Sequence, residues 1–387
     1  MLSIIRSFKH SVDFNLFDIL SNKGLNIVSG SAFTQARYKI KAELFKELNS
    51  PLKEFFLKSN RVLWKGHALI SADGSTVKLP NSKDTIEHFG VHSVNKLGVS
   101  ICKARMFLFY DVLNDFALDA HLNKWSEGEL TSFAKNLPQL ENDDDPILIL
   151  DRLYGNFLSV KRLTDNERKF CIRLAVNGSC FAKSAMQADQ DDFVCWWEPT
   201  PTEKLNATKH GFDHQKVKVR VVRFKTSQGK VQLLVTNLLS TDQYQWNDIT
   251  DLYWFRWGIE EGFKKLKPKM YIEKFGTKKA QGVFQEFHAH IVVLNLVAIM
   301  KSEADEVIET STVGRMYPYK ANWQHAFQII SRELVQLFTG KTVKKLINRL
   351  IEEIARMKIP IKKGRSFHRD MRSRRLKSRI NFQYKCP

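Results

Sequence analysis

The feature that most constrains the fold is a run of four consecutive apolar residues, Ile-Leu-Ile-Leu at positions 147–150, which lies between Pro146 and Asp151. A short apolar run with such boundaries predicts a strand. Apolar residues at helical spacing predict helices on both sides of the strand-rich middle, at residues 12–20, 33–48, 247–267, 284–300 and 323–357. This order of elements indicates an α/β protein.

The middle of the chain predicts further strands. Residues 68–70 lead into Asp73-Gly74, which is typical of a strand followed by a turn. Residues 104–112 and 116–122 flank Asn114-Asp115 and predict a hairpin. Four more strands are expected, at residues 170–175, 193–197, 217–224 and 231–238.

The charge of the chain favours a polyanionic partner. Sixty-one Lys and Arg residues face 41 Asp and Glu residues, which gives a net charge of +20. Such a surplus attracts nucleic acid through its phosphates. Membrane insertion is not expected, because the longest apolar run, at 291–300, is shorter than the ~20 residues of a spanning helix. No signal peptide is visible, and five cysteines without a C-x-x-C pair predict free thiols in a reducing cytosol.

Four residues of the predicted helix 247–267 fall on one face. With a turn of about 100° per residue, Tyr253, Arg256, Glu260 and Lys267 share a narrow arc, and Glu261 falls outside it. A carboxylate among basic residues on one face predicts either a functional site or ordinary surface ion pairs of small energetic value. The sequence of this helix alone leaves both interpretations open.

Two aspartates are candidates to share a site with Glu260. Asp73 and Asp151 each follow a predicted strand, so both carboxylates can be held side by side. A group of oxygen ligands without Cys or His selects Mg²⁺ or Mn²⁺. The competing interpretation is that Asp73 serves only a turn, and Asp143, Asp144 and Asp145 belong to a solvated loop.

The spacing Y-x2-R-x3-E-x6-K from Tyr253 to Lys267 resembles the Y-R-E-K signature of DDE transposases of the insertion-sequence-four family. Residues 31–37, Asp73-Gly-Ser, and Asp151 with Tyr154-Gly-Asn are similar to other motifs of that family, so the resemblance covers nearly the whole chain. It implies a ribonuclease H-like catalytic core interrupted by a β-strand insertion. A helical N-terminal domain and a helical, basic C-terminal region are also implied.

The resemblance, together with the predicted elements, suggests a five-part layout. A helical DNA-binding domain comes first, and the core is divided around the insertion. The expected parts are residues 1–66 for the N-terminal domain, 67–164 for the first part of the core, 165–242 for the β-rich insertion, 243–330 for the second part of the core, and 331–387 for the C-terminal region.

The resemblance also implies an activity. The enzyme would cleave DNA at insertion-sequence ends and join the 3′-hydroxyl ends to target DNA, with Asp73, Asp151 and Glu260 holding two Mg²⁺ ions, or Mn²⁺ in their place. The residues expected to contact DNA are Tyr253, Arg256, Lys267 and Arg37. The implied partners are double-stranded DNA, as terminal inverted repeats and target, and a second copy of the chain in the DNA complex. The implied location is the bacterial cytoplasm, at the nucleoid when DNA is bound.

Three questions stay open at this point. The alternative function is a catalytically inactive DNA-binding protein derived from such an element. Some relatives hold a flipped base with a tryptophan in the insertion, whereas this chain has Gln232 in that neighbourhood, so Trp196, Trp197 or Trp246 would have to substitute. The basic tail from residue 361 predicts either a solvated segment or an arm that orders on DNA.

Overall fold

A computed structural model describes residues 1–5, 11–94, 98, 100–140, 145–226 and 229–362. Almost all of the basic tail, together with Asp143 and Asp144, therefore lies outside the described residues. The chain begins with five short helices: α1 (Leu2–Ile5), α2 (Val12–Ser21), α3 (Gly30–Arg37), α4 (Glu43–Glu47) and α5 (Asn49–Lys58). Helix α2 confirms the prediction at 12–20. The single helix predicted at 33–48 is wrong, because the chain leaves helical structure after Arg37 and re-enters it at Glu43.

Within the described ranges, nine strands form one mixed sheet: β1 (Leu69–Lys78), β2 (Val91–Val94), β3 (Ser100–Asp111), β4 (Phe116–Lys124), β5 (Ile147–Leu150), β6 (Lys169–Leu174), β7 (Asp192–Trp197), β8 (Val217–Lys225) and β9 (Val231–Thr236). Their order across the sheet is β2-β3-β1-β5-β6-β9-β8-β7, and β4 pairs with β3. Strand β1 is antiparallel to β3 and parallel to β5, and β5 is parallel to β6. The predicted α/β class is thus confirmed.

The apolar run at 147–150 is the central strand β5, buried on both faces. Ile147 and Ile149 belong to one apolar core, and Leu148 and Leu150 belong to a second core on the other side of the sheet. Side chains alternate between the two faces of a strand, so a strand covered on both sides is apolar at every position. Burial on both faces therefore explains why this run lacks the usual polar alternation.

Two local predictions in this region have different outcomes. The hairpin is confirmed, because β3 and β4 pair from Ala104↔Lys124 to Asp111↔Phe116. The turn predicted at Asp73-Gly74 is wrong, because β1 continues through both residues to Lys78. A Cβ atom at Gly74 would lie only 2.7 Å from Oε2 of Glu129, so the absence of a side chain at this position leaves room for that carboxylate. The glycine reflects a close approach by another side chain, and no turn is present.

The strands predicted between 165 and 242 are confirmed as β6 to β9, with bounds shifted by at most two residues. Strand β9 pairs with β6, and β8 and β7 follow outward, so these strands extend the main sheet. The sequence reading missed two helices here. The helices in and around the sheet are α6 (Lys83–Phe89), α7 (Glu129–Asn136), α8 (Phe157–Asp165), α9 (Cys180–Met186) and α10 (Pro201–Lys209).

The last third is helical: α11 (Trp246–Trp254), α12 (Trp257–Lys264), a π-helix at Lys265–Lys269, α13 (Ala280–Ser311), α14 (Trp323–Thr339) and α15 (Val343–Arg356). A small two-stranded sheet pairs β10 (Tyr319–Ala321) with β11 (Lys358–Pro360). Helix α13 is long and apolar enough to span a membrane by length and composition alone. However, 78% of its apolar 18-residue window is buried inside the protein, as in a core helix.

Candidate active site

Asp73 and Asp151 lie next to each other where β5 ends, at the carboxyl end of that strand. The parallel register of β1 and β5 runs through Leu69↔Ile147, Ile70↔Leu148 and Ser71↔Ile149. Two residues beyond the last pair, each chain segment carries an aspartate, so the register aligns residue 73 with residue 151. Paired strands lie about 4.8 Å apart. Since β5 ends at Leu150 while β1 continues to Lys78, both aspartates occupy a notch in the sheet.

Backbone amides orient both aspartates. Oδ1 of Asp73 accepts the N–H of Gly74 at 2.7 Å. Oδ1 of Asp151 accepts the N–H of Leu153, also at 2.7 Å. Each aspartate keeps a second carboxylate oxygen for another partner.

Glu260 is brought to the sheet by a helix that packs very closely. In α12, a Cβ atom added to Gly258 would lie 2.7 Å from Cβ of Val112, and one added to Gly262 would lie 2.9 Å from the ring of Tyr110. Two glycines four residues apart thus let one helix face rest directly on the end of β3 and on Val112, the residue that follows it. Val112 and Tyr110 belong to the same apolar core as Ile147 and Ile149, so α12 covers the side of the sheet to which the odd-numbered residues of β5 point.

The helix that carries the Y-R-E-K residues is not continuous, contrary to the prediction at 247–267. It is interrupted at Phe255-Arg256, where the amides of Arg256 and Ile259 bond to carbonyls three residues earlier. It then widens into the π-helix that contains Pro268 and reaches Lys269. Since π-turns and i→i+3 turns change the rotation per residue, the assumed 100° does not hold throughout.

Arg256 and Glu260 nevertheless pair as their spacing predicts. Nη2 of Arg256 donates to Oε1 of Glu260 at 2.9 Å. Glu261 instead pairs with Lys264 in an exposed position. The side chain of Glu260 is 34% exposed whereas that of Arg256 is only 7% exposed, so the carboxylate is accessible and the cation beneath it is buried.

Two buried polar atoms of the signature have no hydrogen-bond partner within the described part of the chain. They are the hydroxyl of Tyr253 and Nε of Arg256. Burial raises the pKa of Tyr253 to about 12, against the opposing charges of Arg173 and Arg256, so the phenol stays protonated and can donate. Buried donors without partners are costly, which points to a ligand that supplies acceptors.

Lys267 reaches the strand that carries the first aspartate. Its Nζ donates to Oγ of Ser75 at 2.7 Å and to the carbonyl of Thr76 at 2.5 Å. Burial lowers the pKa of this ammonium, while the charges of Glu273 and Asp73 oppose the shift. The side chain therefore holds the π-helix against β1, two to three residues beyond Asp73.

The electrostatics of the notch involve a carboxylate that the sequence reading missed, Glu129 at the start of α7. Burial first, and then the negative charges of Glu129 and Asp151, raise the pKa of Asp73 to about 7, although the Gly74 amide and Arg256 act in the opposite direction. Burial also raises the pKa of Glu129. No spacing motif links residue 129 to the other acids, and only tertiary structure brings it here.

The donor set suits a divalent cation in charge and chemistry. Carboxylate oxygens are the preferred ligands of Mg²⁺, and crowded like charges are relieved by a cation. The ligand shell is not assembled, however: no group of three or more His, Cys, Asp or Glu side chains among the described residues is placed to hold a metal ion. Glu260 is engaged with Arg256, and the neighbouring acids repel each other.

Arg37, which was expected to contact DNA, has a different position. It is 2% exposed, and its Nη1 pairs with Oε1 of Glu286 at 3.0 Å while its Nε donates to Gln285 at 3.1 Å. A buried arginine with these partners ties α3 to α13 and cannot reach a phosphate without breaking its ion pair. The assignment of Arg37 to DNA contact is therefore corrected to a structural role.

The three tryptophans considered as base-stacking groups differ in their exposure to solvent. Trp197 is fully buried and stacks on Phe181 with ring centroids 4.1 Å apart, so it is not available to a base. Trp196 is 50% exposed under Nζ of Lys216, and Trp246 is 38% exposed. Trp196 and Trp246 therefore remain as candidates to stack on a flipped base.

Comparisons of the sequence with a protein family and with a relative agree with the motifs. A family model for the transposase DDE domain matches residues 64–296. Transposase InsG for insertion sequence element IS4 from Escherichia coli (strain K12) is 23% identical over 373 residues, covering 93% of this chain and 80% of that protein. Among solved structures, the piggyBac transposase synaptic complex with hairpin DNA matches with a TM-score of 0.44 and 9% identity, over 95% of this chain and 76% of that chain.

The family match spans more than half of the chain, and residues 73, 151 and 260 all lie within it. The relative with the similar sequence is itself named a transposase of an insertion sequence. The chain therefore belongs to the DDE transposases of the insertion-sequence-four family.

Proposed function

We propose that this transposase cleaves DNA at the ends of its insertion sequence and joins the freed 3′-hydroxyl ends to target DNA. The observation that carries the proposal is the register of β1 and β5, which sets Asp73 beside Asp151 under the helix that bears Glu260. Carboxylates from two neighbouring strands and one covering helix form a suitable site for phosphodiester chemistry.

We infer that the catalytic core is ribonuclease H-like. The strand order β4-β3-β1-β5-β6, with an antiparallel hairpin followed by parallel strands, supports this assignment. The proposed layout keeps the predicted parts: residues 67–164 and 243–330 form the core, 165–242 form the insertion, and 1–66 and 331–387 form the helical ends. The insertion would extend the core sheet through β9, β8 and β7.

In the proposed mechanism, Asp73, Asp151 and Glu260 would hold two Mg²⁺ ions, with Mn²⁺ as an acceptable substitute. When bound, such ions activate the attacking water or 3′-hydroxyl and stabilise the leaving oxygen of an in-line displacement. The protonated hydroxyl of Tyr253 and the guanidinium of Arg256 would bind oxygens of the phosphate at the cleaved end. Arg256 suits this task because a guanidinium binds phosphate oxygens in a fork.

Lys267 would act by positioning the strand that carries Asp73. Because it bonds to Ser75 and to the Thr76 carbonyl, it fixes β1 just beyond Asp73 and keeps a positive charge near the DNA backbone. The net charge of +20 supports double-stranded DNA as the partner, in the form of terminal inverted repeats and target DNA. Two ends must be held together during transposition, so we propose a homodimer in the DNA complex, acting in the bacterial cytoplasm.

A Mg²⁺-dependent nicking assay on DNA that carries the element's own ends tests this proposal. Asp73→Ala, Asp151→Ala and Glu260→Ala should each abolish nicking and leave DNA binding largely intact. Glu261→Ala is the matched control, because Glu261 is exposed and pairs with Lys264 on the outer side of the helix, and it should nick normally. If the parent protein binds the ends but never nicks them, the chain is a catalytically inactive DNA-binding protein.

A further inference from the structure

We propose that Glu129 is a fourth acidic residue of the active site, which binds the divalent cation together with Asp73 and Asp151. This inference rests on the proposed function and extends it by one residue. Glu129 lies 22 positions before Asp151 in the sequence and belongs to a different element, α7, whose first residue it is.

Each oxygen of the Glu129 carboxylate lies against one of the two segments that carry Asp73 and Asp151. Oε1 accepts the hydroxyl of Tyr154 at 2.9 Å, and Tyr154 follows Asp151 by three residues. Oε2 lies against Gly74, where an added Cβ atom would meet it at 2.7 Å. The carboxylate therefore bridges the segment of the first aspartate and that of the second.

The start of α7 is itself held firmly, which fixes the carboxylate in this position. Ser132 is fully buried; its Oγ accepts from Nδ2 of Asn123 at 2.8 Å and donates to Oε1 of Glu127 at 2.9 Å. Phe133 packs in the apolar core on the far side of the sheet. The glutamate thus reaches the notch from the face opposite to α12, while Glu260 reaches it from α12.

A purely structural role does not account for this arrangement. A residue needed only to anchor Tyr154 would be better placed away from other negative charges, yet Glu129 adds a third carboxylate to a half-buried notch. Arg105 offsets part of that charge. The hydroxyl of Tyr253 and Nε of Arg256, both buried and without partners among the described residues, point independently to a ligand that supplies acceptors. A cation with its phosphate would compensate both the acids and these donors.

The test is Mn²⁺ binding by the full-length protein without DNA, measured by isothermal titration calorimetry. Glu129→Gln keeps an oxygen for Tyr154 but removes the charge. It should raise the Kd for Mn²⁺ at least roughly 10- to 100-fold, which is the loss seen when only an outer-shell partner of a metal ligand is removed. The matched control is Glu54→Gln, which removes an equal charge from an exposed side chain that pairs with Lys58, and it should bind Mn²⁺ like the parent. Glu129→Asp keeps the charge on a shorter side chain, so its affinity should fall between those of the parent and Glu129→Gln.

Tyr154→Phe separates charge from anchoring, because it removes the hydrogen bond and leaves the carboxylate. It should weaken Mn²⁺ binding less than Glu129→Gln does. Equal losses in the two variants, or an unchanged Kd in Glu129→Gln, would overturn the proposal. If Glu129→Gln does not fold, the comparison of Glu129→Asp with Tyr154→Phe decides in the same way. Asp73→Asn is included because an unchanged Kd in that variant would refute the proposed metal site itself and not only the role of Glu129.

Discussion

Nη2 of Arg256 donates to Oε1 of Glu260 at 2.9 Å, one helical turn away, while Nε of the same guanidinium is buried without a partner among the described residues. Arg256 therefore holds the half-buried carboxylate of Glu260 with one nitrogen, and a second nitrogen of the same group is left without a partner among the described residues. Removing this arginine should therefore weaken DNA binding and also release the Glu260 carboxylate.

Arg256→Ala should weaken binding to the element's ends and reduce the slope of log K against log[salt] by about one, because one phosphate contact is lost. Fluorescence anisotropy across a salt series measures this slope. Lys264→Ala removes an exposed charge on the same stretch of helix and serves as the control. An unchanged slope in Arg256→Ala would remove Arg256 from the phosphate contacts.

Gly262→Ala should destabilise the protein by about 1–3 kcal/mol, as overpacking of a filled core does. The new methyl group would lie 2.9 Å from the ring of Tyr110, which is buried and cannot move aside. Urea unfolding followed by circular dichroism measures the loss. Gly128→Ala, where the nearest atom is Oγ1 of Thr131 at 3.5 Å, should lose less. A larger loss at Gly128 would contradict the tight packing of α12.

Asp73→Asn should stabilise the metal-free protein at pH 8 relative to the parent. The pKa of Asp73 is raised to about 7 in the folded state, so the native state holds this proton more tightly than the unfolded chain does. The stabilisation that this bound proton provides is complete below about pH 4 and is lost as the pH rises through 7. Each unit by which folding raises the pKa corresponds to about 1.4 kcal/mol of free energy of unfolding.

Unfolding in EDTA at pH 5 and pH 8 checks this dependence. The advantage of Asp73→Asn over the parent should grow between the two pH values and should shrink when Mg²⁺ is added. A pH-independent difference would show that Asp73 is not destabilised by its neighbours when it ionises.

Arg37→Ala should cost about 3–5 kcal/mol of stability, because it leaves the buried carboxylate of Glu286 without its partner. The free energy of unfolding from urea titration measures this cost. Lys39→Ala, two residues later and exposed, should change stability little. If Arg37→Ala folds as well as the parent and only DNA binding weakens, the structural role assigned to Arg37 is wrong.

The sequence predicted those parts of the site that depend on local pattern. The apolar run before Asp151 identified a buried strand, and the i,i+4 spacing of Arg256 and Glu260 identified a pair that does form. The interruption at Phe255-Arg256 was missed, because a change from i→i+4 to i→i+3 bonding leaves no clear signal in the residue types.

The remaining errors concern tertiary contacts. Arg37 was interpreted as a surface cation, because no pattern near it in the sequence indicates its ion pair with Glu286, 249 residues away. Glu129 was missed for the same reason, because the register of β1 and the placement of α7 are needed to bring it to Gly74. Gly74 was assigned to a turn, although the close approach of that glutamate provides a reason for glycine within a strand.

The most direct test of the central claim is anomalous diffraction from crystals of the protein grown with Mn²⁺ and DNA of the element's end. A manganese peak is expected at ligand distance, about 2.1 Å as for Mg²⁺, from carboxylate oxygens of both Asp73 and Asp151, with Glu260 contacting this ion or a second one nearby. Manganese bound elsewhere, or residues 73, 151 and 260 too far apart to share ions in the DNA complex, would contradict it.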